Sequence, residues 1–205
     1  MARTKFNEIS KVIENTERKI ITAKDLVDVY SNVKKLTFVE EIKSNKDFFM
    51  ICAPLTSQSK GPKQEERILY MFGGKKINAS ADKGDYVDSW GNFFEVKCST
   101  PSKNNNVLNM VQLRPFQKIE YYLCCFIDDI EYKNNYCFRL TKEQMNEEIK
   151  SCGNSAHGVS TKINDRTEYR ISINLNKMND ERTKRWFEKY RDIKSEKIIF
   201  EGRKI

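Results

Sequence analysis

Gly84-Asp85-Tyr86-Val87-Asp88-Ser89-Trp90-Gly91-Asn92-Phe93-Phe94-Glu95-Val96-Lys97-Cys98-Ser99 reads as two β-strands joined by a turn at Trp90-Gly91-Asn92. Side chains alternate across a strand, so Glu95 and Lys97 share one face while Phe94, Val96 and Cys98 line the other. A carboxylate and an ammonium are thereby set side by side on a strand whose reverse face is apolar. Which aspartate joins them depends on the turn, because changing the loop by one residue swaps the partner. A two-residue Gly91-Asn92 turn places Asp88 opposite Glu95, whereas a three-residue Trp90–Asn92 loop places Asp85 opposite Lys97 on the Glu95 face. Two carboxylates and a lysine are the residue types that phosphodiester hydrolysis uses. Carboxylate oxygens suit Mg²⁺, which activates water and bridges phosphate, and a lysine orients that water or offsets charge at phosphorus.

Composition narrows the classes around this hairpin. The chain has 205 residues, 37 Lys and Arg against 29 Asp and Glu, and a net charge of +8. The pI is near 9.1 and the mean hydropathy is −0.71. An anionic partner fits that balance. Hydrophobic residues at 39% and aromatics at 11% suffice for a core, so wholesale disorder is excluded. The longest purely apolar run, Tyr121–Ile127, has 7 residues, far short of the ~20 needed to cross a bilayer as a helix. Residues 1–8 show no secretory pattern, so a cytoplasmic location with reduced thiols is expected. The 6 cysteines contain no C-x-x-C pair and His157 is the only histidine, which leaves carboxylates as the ligands for any hydrolytic metal.

Upstream, residues 1–58 read as a small helical segment, with apolar faces at Ile9, Val12 and Ile13, at Leu26, Val27 and Val29, and at Phe38, Val39 and Ile42. Such a segment suits a helix-turn-helix or dimerisation element. Phe48–Ala53 reads as a strand and Pro54–Pro62 as a linker, which divides the chain into 1–58 and 59–205. A helix is then expected to start at Pro62 and stop at Gly73-Gly74, with Ile68, Leu69 and Phe72 on one face and Glu65 at its centre. Glu65 is either a site residue or a first-turn acid favoured by the helix dipole.

With the upstream helix, the acidic hairpin and the acid-poor segment after it, the chain resembles the PD-(D/E)XK nuclease superfamily, and the hairpin looks like that of its type II restriction endonucleases. The likeness spans about residues 83–150: the buried strand Tyr121–Ile127, the strand Tyr136–Leu140 and a helix over 141–150 follow in the family's order. It implies an α/β fold with a mixed central sheet flanked by helices, Asp85 rather than Asp88 as metal ligand with Glu95, Lys97 as the third catalytic residue, and Mg²⁺ as cofactor. Double-stranded DNA is the implied partner, cut site-specifically by a homodimer. The sequence departs from the pattern in three ways: Gly84 stands where the family has proline, Asn104-Asn105-Asn106 replace a histidine-rich segment, and residues 1–58 have no counterpart.

Two stretches lack acidic residues and so suit a phosphate backbone. Val96–Ile119 carries Lys103, Asn104, Asn105, Asn106 and Arg114, with Ser99–Asn109 expected to lead into a helix. Ile149–Asn164 carries Asn154, Ser155, His157 and Lys162 between glycines, as a groove-reading loop would. The alternative functions are a repair or branched-DNA nuclease of the same superfamily, and a non-catalytic DNA-binding regulator that uses the N-terminal helices.

Overall fold

The computed structural model describes residues 44–77, 83, 84, 86–101, 105–155, 162, 163 and 166–202. By compactness the chain divides into Met1–Thr37 and Phe38–Ile205. The helices expected within 1–43 lie outside the described residues. Residues 44–58, expected to belong with them, form part of the larger unit: the Asn45 amide donates to the Ile199 carbonyl at 2.6 Å and accepts from Arg67 Nε at 2.7 Å.

The described residues form an α/β arrangement. Helices α1 (Asn45–Cys52) and α2 (Ser57–Met71) precede strands β1 (Lys75–Lys76), β2 (Tyr86–Val87), β3 (Phe93–Ser99), β4 (Val107–Leu113), β5 (Tyr121–Phe126) and β6 (Tyr136–Thr141). Helix α3 (Lys142–Cys152), strands β7 (Asn154–Ser155), β8 (Lys162–Ile163), β9 (Arg166–Thr167) and β10 (Tyr169–Asn174), and helices α4 (Glu181–Lys189) and α5 (Ile193–Glu201) follow. The main sheet is mixed, in the order β1-β2-β3-β5-β6, with β3 and β5 parallel and the other pairs antiparallel. A second sheet runs β4-β10-β7, and β8 pairs with β9. No helix among the described residues is long and apolar enough to cross a membrane.

Every residue of β5 is buried, as expected of a strand with protein on both faces. One face of the main sheet carries Phe94, stacked on Tyr121 and tilted against Tyr86, and it meets α2 through the hydrogen bond from the Tyr86 hydroxyl to Glu65. The other face carries Tyr122, Cys124, Phe126, Phe138 and Leu140, which form one core with Leu108 and Met110 of β4, Ile171 and Ile173 of β10, Met145 and Ile149 of α3, and Trp186 of α4. The result is a layer of helices, the mixed sheet, and a second layer of β4, β10, α3 and α4.

Three sequence expectations change here. Phe48–Ala53 is not a strand: α1 covers Asn45–Cys52, capped by Ser44, whose hydroxyl accepts from Asp47 N, and it buries Phe48, Phe49 and Cys52 at helical spacing. The linker at Pro54–Pro62 is largely helix, since α2 starts at Ser57 and keeps Pro62 inside. Proline costs that turn one backbone hydrogen bond, and the buried ion pair of Lys60 Nζ with Asp129 at 2.6 Å anchors the turns that precede it. The helix expected after Ser99–Asn109 is strand β4. Gln112 sits in the left-handed region at φ 56°, and the pairing with β10 shifts there, so Met110 and Leu113, three apart, both point inward. A bulge thus produces a spacing that imitates a helix.

The expectations for β5, β6 and α3 agree with the structure. Helix α3 carries a complete capping box, Thr141 Oγ1 accepting from Gln144 N while Gln144 Oε1 accepts from Thr141 N.

Candidate active site

The hairpin turn is Ser89-Trp90-Gly91, one residue earlier than expected, and Gly91 takes φ +88°, a conformation glycine adopts without penalty. Tyr86 pairs with Phe94 and Val87 with Phe93, so Asp88 closes the turn on Asn92 and stands opposite neither Glu95 nor Lys97. Its carboxylate accepts from Trp90 N at 2.9 Å, Asn92 N at 2.9 Å, Asn92 Nδ2 at 3.0 Å and the Tyr121 hydroxyl at 3.2 Å. Burial raises the Asp88 pKa, but the bonds from Asn92, Trp90 and Tyr121 outweigh burial and hold it below the ordinary carboxylate range. Asp88 is therefore occupied in building the turn.

Glu95 and Lys97 share a face of β3, as the alternation requires. Lys97 Nζ lies 2.7 Å from Glu95 Oε1, and the two side chains are 14% and 3% exposed, respectively. In register beside them on β5 stand Tyr122 and Cys124, so the pair faces the layer of β4 and β10. Burial, then the Glu95 charge, pushes the Tyr122 phenol up, and its hydroxyl donates to the Arg114 carbonyl at 3.3 Å. Burial likewise raises the Cys124 thiol, so it stays protonated beside the ion pair. Further along the same face Ser99 Oγ donates to the Asn109 carbonyl and accepts from Asn109 N, both at 2.8 Å, tying the end of β3 to β4.

Glu65 is half-buried on α2 and accepts from the Tyr86 hydroxyl at 3.2 Å. Tyr86 shares the Phe94 face, and the Glu65 charge adds to burial in raising the Cys98 thiol. Glu65 thus points inward as expected, toward the face of β3 opposite to Glu95 and Lys97.

The expected DNA-contacting residues fall in different places. Arg114 Nε is paired with the buried Glu168 at 2.7 Å, joining the end of β4 to the start of β10. Asn105 is exposed, and the Asn106 carbonyl accepts from Leu175 N at 2.7 Å, so its backbone belongs to the β4–β10 edge. Asn154 and Ser155 lie in β7, paired with Arg170 and Tyr169, and Lys162 lies in β8, paired with Thr167; their side chains are not described. The stretch expected as one groove-reading loop therefore has short strands in it. Asp85, Lys103, Asn104 and His157 lie outside the described residues.

Among the described residues no three His, Cys, Asp or Glu side chains gather closely enough to hold a metal ion. Glu95 is nevertheless a donor of the right chemistry. Mg²⁺ takes hard oxygen ligands, commonly one or two carboxylates completed by water and substrate phosphate, and the thiols nearest Glu95 remain protonated. What sequence reasoning missed is the work of Asp88 and the exposure of Trp90. The signal for the first was present, since an aspartate preceding Ser-Trp-Gly-Asn is a turn residue that accepts from the backbone ahead of it. Comparison with protein-family models and with curated proteins returned no match to the chain.

Proposed function

We propose that the protein is a Mg²⁺-dependent, site-specific double-stranded DNA endonuclease of the type II restriction kind. The observation that carries this reading is the Glu95–Lys97 pair: a carboxylate and an ammonium 2.7 Å apart, both largely withdrawn from water, on one face of a central strand. A surface hairpin with alternating charges would leave both in solvent. A buried pair costs desolvation that packing alone does not require, which is the pattern of a site retained for chemistry.

The reaction adds water to phosphorus and breaks one P–O ester bond. Glu95 provides one metal-binding carboxylate, and Asp85, the residue before Tyr86, is the proposed second, since Asp88 is committed to the turn. The chemistry supplied by bound Mg²⁺ is Lewis-acid polarisation of the scissile phosphate and acidification of water. Lys97 orients the attacking water and offsets negative charge developing at phosphorus. The proposed homodimer follows from the substrate, because cutting both strands of a two-fold duplex calls for two equivalent sites.

The experiment is incubation of purified protein with Mg²⁺ and long unmodified duplex DNA, beside Glu95→Ala, Lys97→Ala and an EDTA control. Discrete fragments from the wild type, absent in all three controls while Lys97→Ala still retards DNA, are expected. A Lys97→Ala protein that cuts normally removes Lys97 from the mechanism.

A further inference from the structure

The hairpin that carries Glu95 and Lys97 ends in a tryptophan turned out to water. Trp90 is 72% exposed, more than any other exposed large hydrophobic residue described. It is rigidly presented: its own N–H is held by Asp88, Asp88 is fixed in turn by Asn92 and Tyr121, and the turn is closed by Asp88 N donating to the Asn92 carbonyl at 3.0 Å. Leaving an indole in water forfeits a large burial term, and nothing in this turn requires an aromatic side chain, since only the backbone of residue 90 is used.

The surroundings are basic. Lys75, exposed, stands opposite Val87 on the strand beside β2, and so shares the face of Val87 and Phe93. Lys83 Nζ lies 5.5 Å from the centre of the Phe93 ring, which opposes Val87 just below the tip, and Lys83 is bridged to Lys118; both are exposed. The exposed acid described beside them is Glu120, whose N–H donates to the Phe93 carbonyl. Three exposed lysines on the strands below the projecting indole supply charge for a phosphate backbone, and the indole a flat surface for a base, the two components of single-strand binding platforms.

We propose that Trp90 stacks on an unpaired nucleobase of a nucleic-acid strand whose phosphates lie along Lys75, Lys83 and Lys118. The site rests on the nucleic-acid reading of the hairpin, but it binds without cleavage and is tested separately. On the proposed endonuclease it holds a base flipped out of the duplex beside the cutting site.

The chain has 2 tryptophans, and Trp186 is fully buried, so emission that changes on ligand binding reports Trp90. The experiment is titration of the full chain in EDTA with a short oligothymidylate, and with an abasic oligonucleotide of the same length. Quenching by oligothymidylate, absent with the abasic strand and absent in Trp90→Ala, is expected. Trp90→Ala should also weaken oligothymidylate binding by roughly 5- to 150-fold, the effect of losing one base–aromatic stack. Trp90→Phe should recover part of that loss. Emission indifferent to oligothymidylate overturns the proposal, as does equal quenching by the abasic strand. Emission that changes with protein concentration or with anionic lipid vesicles, but not with oligothymidylate, also overturns it, placing a second copy or a membrane at the tip. Because these measurements contain no Mg²⁺, a protein that binds through Trp90 but never cuts refutes the endonuclease reading and leaves this one standing.

Discussion

Glu95 and Lys97 stand two residues apart on β3, and their contact shows how little backbone is needed to assemble a buried ion pair. Lys97 places its ammonium 2.7 Å from a carboxylate that is 3% exposed, so each charge compensates for much of the other's lost hydration. Lys97→Ala takes that cation away and should destabilise the fold by about 3 kcal/mol, the lower end for a buried pair because the lysine retains some solvent. The double variant Glu95→Gln with Lys97→Met should recover most of that loss, as measured by urea unfolding. A double variant no more stable than Lys97→Ala would show that the pair is not coupled. Alternation along a strand is a local rule, so the shared face of these two residues was legible in the sequence. Their burial was not, because it comes from β4 and β10 covering that face, and those strands are brought there from residues 107–113 and 169–174. The turn length was not legible either, since it is settled by which register satisfies the donors of Trp90 and Asn92, although Asp88 itself carries a turn signal.

Among the elements, α3 and α4 are joined by a single buried acid. Glu148 accepts from Arg185 Nε and Nη2 at 3.2 and 2.9 Å, Trp186 Nε1 at 3.0 Å and the Tyr190 hydroxyl at 3.0 Å. Replacing it with alanine strands three buried or half-buried donor groups. Glu148→Ala should cost roughly 3–5 kcal/mol, detected as a lower urea midpoint, whereas Glu147→Ala, at an exposed position one residue before it, should change stability by less than about 0.5 kcal/mol. Equal effects would refute a clamping role for Glu148. The sequence reading identified the helix over 141–150 that became α3, yet nothing local shows that it is clamped. The clamp consists of Arg185, Trp186 and Tyr190 all meeting one carboxylate from a helix 37 or more positions earlier. For α1 and α2 the local signals misled. Phe48–Ala53 and Pro54–Pro62 carry strand and linker signals, and tertiary contacts through Asn45, Lys60 and Arg67 hold helices there.

For the whole molecule, the carboxylates set how stability follows pH. Burial raises Asp88, Asp128 and Glu148, but hydrogen bonds overcome it in each case: Asn92, Trp90 and Tyr121 for Asp88, four backbone N–H groups of residues 130–134 for Asp128, and Arg185, Trp186 and Tyr190 for Glu148. All three therefore titrate below their unfolded values. Their stabilisation is complete above the ordinary carboxylate value near ~4 and is lost as pH falls through the lower native values. Asp129 has the opposite sign, because burial outweighs Lys60 and raises it, so acid relieves part of its cost. Asp180 is also lowered, first by the hydrogen bond from Thr183 N, so with four described carboxylates lowered against one raised the urea midpoint should fall between about pH 5 and pH 3, and Asp129→Asn should leave that fall in place while Glu148→Gln makes it shallower. A midpoint that rises over this range would contradict the balance.

What the sequence by itself determined is the part governed by neighbours along the chain: the buried strand at 121–127, the helix over 141–150 and the common face of Glu95 and Lys97. Those follow from side-chain period and capping chemistry, which act within a few residues. Only the tertiary structure decided that the linker is helix, that Val107–Leu113 is a bulged strand, and that the Glu95–Lys97 pair lies beneath a second sheet while Trp90 projects into solvent. Each depends on which distant segment supplies a hydrogen-bond partner or covers an apolar face, and those free-energy terms have no local signature.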